Sequence, residues 1–272
     1  MDLRRARTFV EDHGTPIERA RLVALLDRRW PEVVPPELAA LQNPDGGFPY
    51  ELRAGEPSTL HHTTLVLSWL QDLHHGESAT ADGAYAFLLS RQTKRGIWRE
   101  SRDLQRFELP PWMDPDSAAA DVYTTALCAA TLLTHEDAAL AVDRSVAWLQ
   151  TQQGRDGLLA GFKVHASSLA VPAFSDILGQ DGRATRRLIA ALGEALTPEW
   201  TPSMVAEMLQ RLLDAGFSQR TEVVARGWEL LQTMQAPDGS FASEDESEGP
   251  VAITLTVLDV ARRLRRPAGR RQ

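Results

Sequence analysis

Acidic and aromatic side chains concentrate in the stretch Pro110–Pro111–Trp112–Met113–Asp114–Pro115–Asp116–Ser117–Ala118–Ala119–Ala120–Asp121–Val122–Tyr123–Thr124–Thr125–Ala126. Asp114, Asp116 and Asp121 gather where a small-residue, nearly uncharged segment begins. Two carboxyls sharing a desolvated pocket keep one of them protonated, and a neutral carboxyl is a general acid. Tyr123 adds a phenol, a far weaker acid with an unperturbed pKa of about 10. The plainer reading has Asp116 capping the helix and Asp114 facing water.

Two further groups belong to the same chemistry. His61–His62 precedes Thr63–Thr64 much as Val122–Tyr123 precedes Thr124–Thr125, and His165 holds a similar place later in the chain. Neighbours on a helix point about 100° apart, so one of His61 and His62 is expected to face inward as a proton shuttle or ligand contact. The bland alternative is a hydrogen-bonded interior imidazole. Phe48, Trp69, Trp112, Tyr123, Phe162, Phe174 and Trp200 are the aromatic faces available to an apolar substrate or a cation, each worth about 0.5–2 kcal/mol toward the latter. Aromatic content is only 7 %, so part of this set is ordinary core.

These residues need elements to position them. Gln42, Gln92, Gln153 and Gln235 each follow a helix-like segment and are each followed by a Gly, as in Gln92…Gly96–Ile97–Trp98 and Gln235…Gly239–Ser240–Phe241. The repeating turns fall at 40–48, 87–98, 148–159 and 226–241, with a decayed copy at about 183–216. Segments before the Gln residues (79–91, 137–152, 219–235) are amphipathic. Segments after the turns (59–73, 118–133, 165–178, 201–215, 251–264) are rich in small residues and nearly uncharged along much of their length, as expected of helices covered on most sides. Ser58, Asp116 or Ser117, and Thr201 are the expected caps. No sustained period-2 pattern predicts a strand. With two helices before Pro35, the expectation is one domain over 1–272: an all-α, α/α toroid of about five or six helical hairpins, whose covered helices line a central chamber.

Composition narrows the function. A chain of 272 residues with 43 % hydrophobic and 24 % charged residues is an ordinary globular protein. Its net charge of −8 argues against nucleic acid as a partner. The lack of a long apolar run or an N-terminal signal points to the cytoplasm. The single cysteine, Cys128, excludes an internal disulfide and a multi-cysteine metal cage. No phosphate loop or dinucleotide fingerprint is present, so no cofactor is expected. The basic tail at 262–272, with Arg262, Arg263, Arg265, Arg266, Arg270 and Arg271, reads as a solvated helix end or as a peripheral contact with an anionic surface.

The Gln-x3-Gly-x-aromatic turn resembles the QW repeat of the superfamily that holds squalene–hopene cyclases, class II terpene cyclases and protein-prenyltransferase β-subunits. The copies at 87–98 and 226–241 match closely; the copy at 148–159 ends on Leu159 instead of an aromatic. The resemblance implies a structural role for the Gln, Gly and aromatic residues. It also implies an acid at the start of a covered helix, where class II cyclases carry D-x-D-D-T-A. Asp121–Val122–Tyr123–Thr124–Thr125–Ala126 matches that motif in its first Asp and closing Thr-Ala, but the proton-donating Asp is Tyr123 here. Protein prenyltransferases place a zinc-binding Asp-x-Cys at the same point, and Tyr123 replaces that Cys, so no metal is expected.

The resulting expectation is a terpene-cyclase-like enzyme (an isomerase or lyase) acting on a small apolar or isoprenoid substrate. Asp114, Asp116, Asp121 and Tyr123 would supply the chemistry. Phe48, His61, His62, Trp69, Trp112, Phe162, His165 and Trp200 would bind the substrate. The alternatives are a non-catalytic toroid that holds a lipid or protein partner, and a carbohydrate-active α/α barrel using paired carboxylates.

Overall fold

Local capping chemistry decides where the helices begin. Thr15 and Glu18 form a reciprocal capping box with Pro16 at the first helical position, and the hydroxyls of Thr59, Ser78, Ser117 and Thr201 each accept a backbone N–H of the helix that follows. Ser117 and Thr201 therefore cap as expected. Ser58 does not: the cap falls one residue later, on Thr59, because the Ser58 hydroxyl donates to Asp45 at 2.6 Å.

The computed structural model describes residues 1–244 and 249–265. Twelve α-helices occur among them: α1 (Leu3–His13), α2 (Pro16–Asp27), α3 (Pro36–Ala39), α4 (Leu60–Asp72), α5 (Ala79–Arg91), α6 (Ala118–Leu132), α7 (Ala139–Thr151), α8 (Lys163–Leu178), α9 (Arg183–Ala195), α10 (Pro202–Asp214), α11 (Glu222–Leu231) and α12 (Gly249–Leu264). The only paired strands among the described residues are β1 (Phe48–Pro49) and β2 (Ser58–Thr59), antiparallel with Phe48 opposite Thr59. The all-α expectation holds. The helix expected over 219–235 is shorter, and Gln235 lies in the loop beyond α11.

Backbone packing divides the chain into two compact units. In the unit spanning 31–192, α4 packs on α5 and α6, α6 packs on α7 and α8, and α7 packs on α8. In the unit made of 1–30 and the described residues from 193 onward, α12 packs on α1, α2 and α10, and α10 packs on α11. Ala6, Phe9, Val10, Leu22, Leu255 and Leu258 form a core cluster there.

The repeated glutamines join one hairpin to the next. The Gln42 side-chain amide donates to Gly46 O and to Thr80 O at the start of α5, both at 2.8 Å. Gln92 donates to Ala141 O at 2.7 Å and Ser145 Oγ at 2.9 Å on α7. Gln153 donates to Gly157 O and to Ala184 O on α9. Gln235 donates to Gly239 O at 3.0 Å and Asp2 O at 2.8 Å, and accepts Asp2 N–H before α1. The decayed copy lacks the glutamine, and Arg226 on α11 instead donates back to Gly193 O and Leu196 O at the end of α9. Glycine is required in these turns. At Gly96 φ is +82°, and a Cβ would meet the Arg144 backbone at 2.5 Å.

Arg262 and Arg263, at the start of the basic tail, pair with Asp259 and with Asp214 and Asp259. Arg266, Arg270 and Arg271 lie outside the described residues.

Candidate active site

A second recurring contact fixes the register of the buried helices. In each turn a backbone N–H donates to a hydroxyl near the start of the next helix. The pairs are Phe48 to Thr63 at 2.9 Å, Trp98 to Thr125 at 3.0 Å, Leu159 to Ser167 at 2.9 Å and Phe241 to Thr254 at 3.1 Å. Counting two residues back from each hydroxyl gives His61, Tyr123, His165 and Ala252. These are structurally equivalent positions, all half-buried. The first three belong to the 31–192 unit, so the helix starts of α4, α6 and α8 present a protic side chain at the same register. Tyr123 and His165 thus occupy equivalent positions, each two residues before the hydroxyl that binds its turn.

Aromatic side chains collect around Tyr123. Its ring centroid lies 6.1 Å from Phe162, edge-on at 82°, and 6.5 Å from Trp112 at 46°. Trp112 comes from a segment of short 3-10 turns, Arg102–Arg106 and Pro111–Met113, between the Trp98 turn and α6. That segment has its own small core. Tyr50, Leu104 and Met113 are buried, with Phe107, Leu109 and Trp112 against them. Tyr50 packs against Phe107 with the rings tilted by 31° and centroids 4.7 Å apart, and donates its hydroxyl to Glu108 O at 3.3 Å.

The three expected acids are separated by their surroundings. Asp114 and Asp116 are exposed. Asp116 accepts from Arg102 Nε at 3.0 Å and Gln105 Nε2 at 2.6 Å, while Asp114 accepts the backbone N–H of Asp116. The desolvated carboxyl pair expected from the Asp-Pro-Asp spacing is therefore not formed, because both side chains are exposed and Asp116 is paired with Arg102. Asp121 is buried, and both its oxygens are taken by Arg99, from Nε at 2.7 Å and Nη2 at 2.5 Å. That is the bidentate geometry of an ionised carboxylate. Asp121 also lies two residues before Tyr123, about 200° around the helix from it.

His62 is engaged by the protein at both ring nitrogens. Nε2 accepts the Glu51 backbone N–H at 3.2 Å, so the proton sits on Nδ1, which donates to Thr59 Oγ1 at 2.8 Å. Its ring stands edge-on to Tyr50 at 5.6 Å. Burial, and secondarily the neighbouring His61, push its pKa down to about 3. His62 clamps a turn in which Glu51 and Leu52 have φ of 50° and 54°. Its expected contact with substrate gives way to this role.

The remaining expected residues scatter. Phe48 is fully buried in β1 beneath α4. Trp69 is half-buried toward the end of α4. Trp200 is buried in the other unit. Cys128 is buried mid-α6, where burial raises its thiol pKa. Among the described residues no group of His, Cys, Asp and Glu is arranged to hold a metal ion, and no helix is long and apolar enough to cross a membrane.

Glu100, which no motif marks, is a further buried acid beside the start of α4. Both its oxygens accept backbone N–H groups at the start of α4, from Leu60 and His61 at 2.9 Å each. The residue is 5 % exposed, and burial raises its pKa to about 7 against the pull of the two N–H groups and Arg91. The signal was an acidic residue two positions after the turn's Trp98, where the other copies carry Tyr50, Gly161 and Ser243.

No protein-family model matches the sequence, and no curated protein does. Solved structures do match in fold. A protein from Actinoplanes is similar over 96 % of this chain and 98 % of its own, with 17 % identity and a TM-score of 0.63. The type II terpene cyclase MstE from Scytonema, without ligand, is similar over 90 % of this chain and 96 % of its own, with 15 % identity and a TM-score of 0.59. A variant of the same enzyme in complex with its substrate, geranylgeranyl dihydroxybenzoate, is similar over 96 % of this chain and 86 % of its own, with 14 % identity and a TM-score of 0.64. The chain has a terpene-cyclase-like fold, of the all-α, α/α-toroid class.

Proposed function

We propose that this chain is a terpene-cyclase-like enzyme of the squalene–hopene and class II cyclase superfamily, acting on an isoprenoid or similar apolar substrate. The observation that carries the reading is the gathering of Trp112, Tyr123 and Phe162 from three separate segments at the start of α6 and α8, in a fold shared with a cyclase whose substrate is prenylated. Three ring faces offer an apolar chain a surface and a developing cation about 0.5–2 kcal/mol each. The reaction is cyclisation or rearrangement begun by an acid, on a single cytoplasmic domain. Asp121 is the donor candidate, on the opposite side of α6 from Tyr123; Tyr123, His61 and His165 are the protic groups at the shared register, and Arg99 must release the Asp121 oxygens for that carboxyl to act.

A second reading has its own support. Arg99 holds Asp121 as a carboxylate and Asp114 and Asp116 are solvated, which favours a non-catalytic protein that retains an isoprenoid lipid. The test is incubation with geranyl, farnesyl and geranylgeranyl diphosphates, squalene and a geranylgeranylated dihydroxybenzoate, followed by extraction and mass spectrometry. Product formation that is lost in Asp121→Asn and reduced in Tyr123→Phe supports the enzyme. Unchanged substrate recovered bound to the protein supports the binder, and neither product nor binding refutes both.

A further inference from the structure

Glu100 is the one buried acid in the 31–192 unit that no ion pair occupies. It sits where α4 begins, and its two acceptor contacts are to the N–H groups of Leu60 and His61. His61 is the α4 member of the set at equivalent register with Tyr123 and His165. The carboxylate accepts both N–H groups with full-strength oxygens, and protonation makes one of those oxygens a poorer acceptor. A protonated carboxyl keeps one good acceptor and turns an O–H toward the second donor. Burial and the helix N-terminus act in opposite senses on this group, so its two charge states lie close in free energy near neutrality. Arg91 from α5 and the Cys128 thiol from α6 interact with it through space, the His61 backbone N–H binds it, and Arg99, paired with Asp121, precedes it in the chain.

We propose that Glu100 is a positioning residue that sets the entry of α4, and with it His61, according to its own charge, and so makes the site responsive to pH. The pH response of ligand binding rests on the isoprenoid reading above; the movement at Leu60 and His61 does not. The carboxylate state holds the first turn of α4 in place. Proton uptake releases one of its two N–H groups and loosens His61.

The test is a pH titration from 5.5 to 8.5 of the Leu60 and His61 backbone amides by nuclear magnetic resonance, on the full chain and on Glu100→Gln and His61→Gln. Farnesol affinity is measured in parallel. The expected result is a common one-proton step in both amides, with a midpoint near 7, kept in His61→Gln and absent in Glu100→Gln. Farnesol binding weakens about five-fold between pH 8 and pH 6, the worth of one lost hydrogen bond. A step that survives in Glu100→Gln, or wild-type amides that do not move, overturns the proposal. Should Glu100→Gln fail to fold, the wild-type and His61→Gln titrations still decide, since a step that disappears with His61→Gln belongs to the imidazole. Farnesol affinity that ignores a proven amide step overturns the pH control of the site. Absence of farnesol binding at every pH, with the amide step present, refutes the isoprenoid reading and leaves the positioning role standing.

Discussion

His62 makes the most quantitative demand on the structure. Its pKa of about 3 against an ordinary 6.5 means that the folded chain refuses a proton that the unfolded chain accepts. For a base with a lowered folded pKa, the stabilisation is complete above 6.5 and is lost as pH falls toward 3. Between pH 8 and pH 5 that loss is roughly 2 kcal/mol, because at pH 5 only the unfolded form is protonated. The physical cause is the enclosed ring, whose Nε2 must stay unprotonated to accept the Glu51 N–H while Nδ1–H reaches Thr59. The perturbation is His62→Gln, which keeps a polar side chain but removes the titration. Urea unfolding at pH 8 and pH 5 should show the wild type losing about 2 kcal/mol more than the variant, and the variant should be the less stable one at pH 8. Parallel losses in the two proteins, or a ring resonance of His62 that titrates near 6.5, would refute the reasoning.

Glu100 should act with the opposite sign: its folded pKa of about 7 stands above the ordinary 4.5, so its stabilisation is full below 4.5 and is lost as pH rises through 7. Relative to wild type, Glu100→Gln should gain roughly 3 kcal/mol between pH 4.5 and pH 8 in urea unfolding. Arg99→Gln should cost more stability than Asp121→Asn, by about 2 kcal/mol, because the first strands a buried carboxylate and the second leaves a half-exposed guanidinium that water can reach. Gln92→Ala removes the donor to Ala141 O and Ser145 Oγ and should lower stability by about 1–3 kcal/mol in thermal or urea unfolding. Gly96→Ala imposes a strained φ and a clash with the Arg144 backbone, and should cost more than Gln92→Ala, seen as a lower melting temperature and soluble yield.

The sequence by itself determined the all-α class, the helix–turn periodicity and most helix ends, because these follow from local rules: apolar spacing at helical period, hydroxyl caps, and glycine where the turn needs positive φ. It marked Gln42, Gln92, Gln153 and Gln235 as structural, though not their partners, since Ala141 or Asp2 is brought to them only by packing. It found the aromatic residues around Tyr123 without showing that Trp112 and Phe162 flank the ring. Charge environment was beyond it. Asp114, Asp116 and Asp121 look alike as letters, yet Arg102, Arg99 and water give them different roles. No motif or spacing singled out Glu100. Only tertiary structure placed it under α4, where desolvation and two backbone N–H groups act on one carboxyl. Ionisation and access depend on what the folded chain brings within a few ångströms, and that neighbourhood is not carried by the spacing of residues along it.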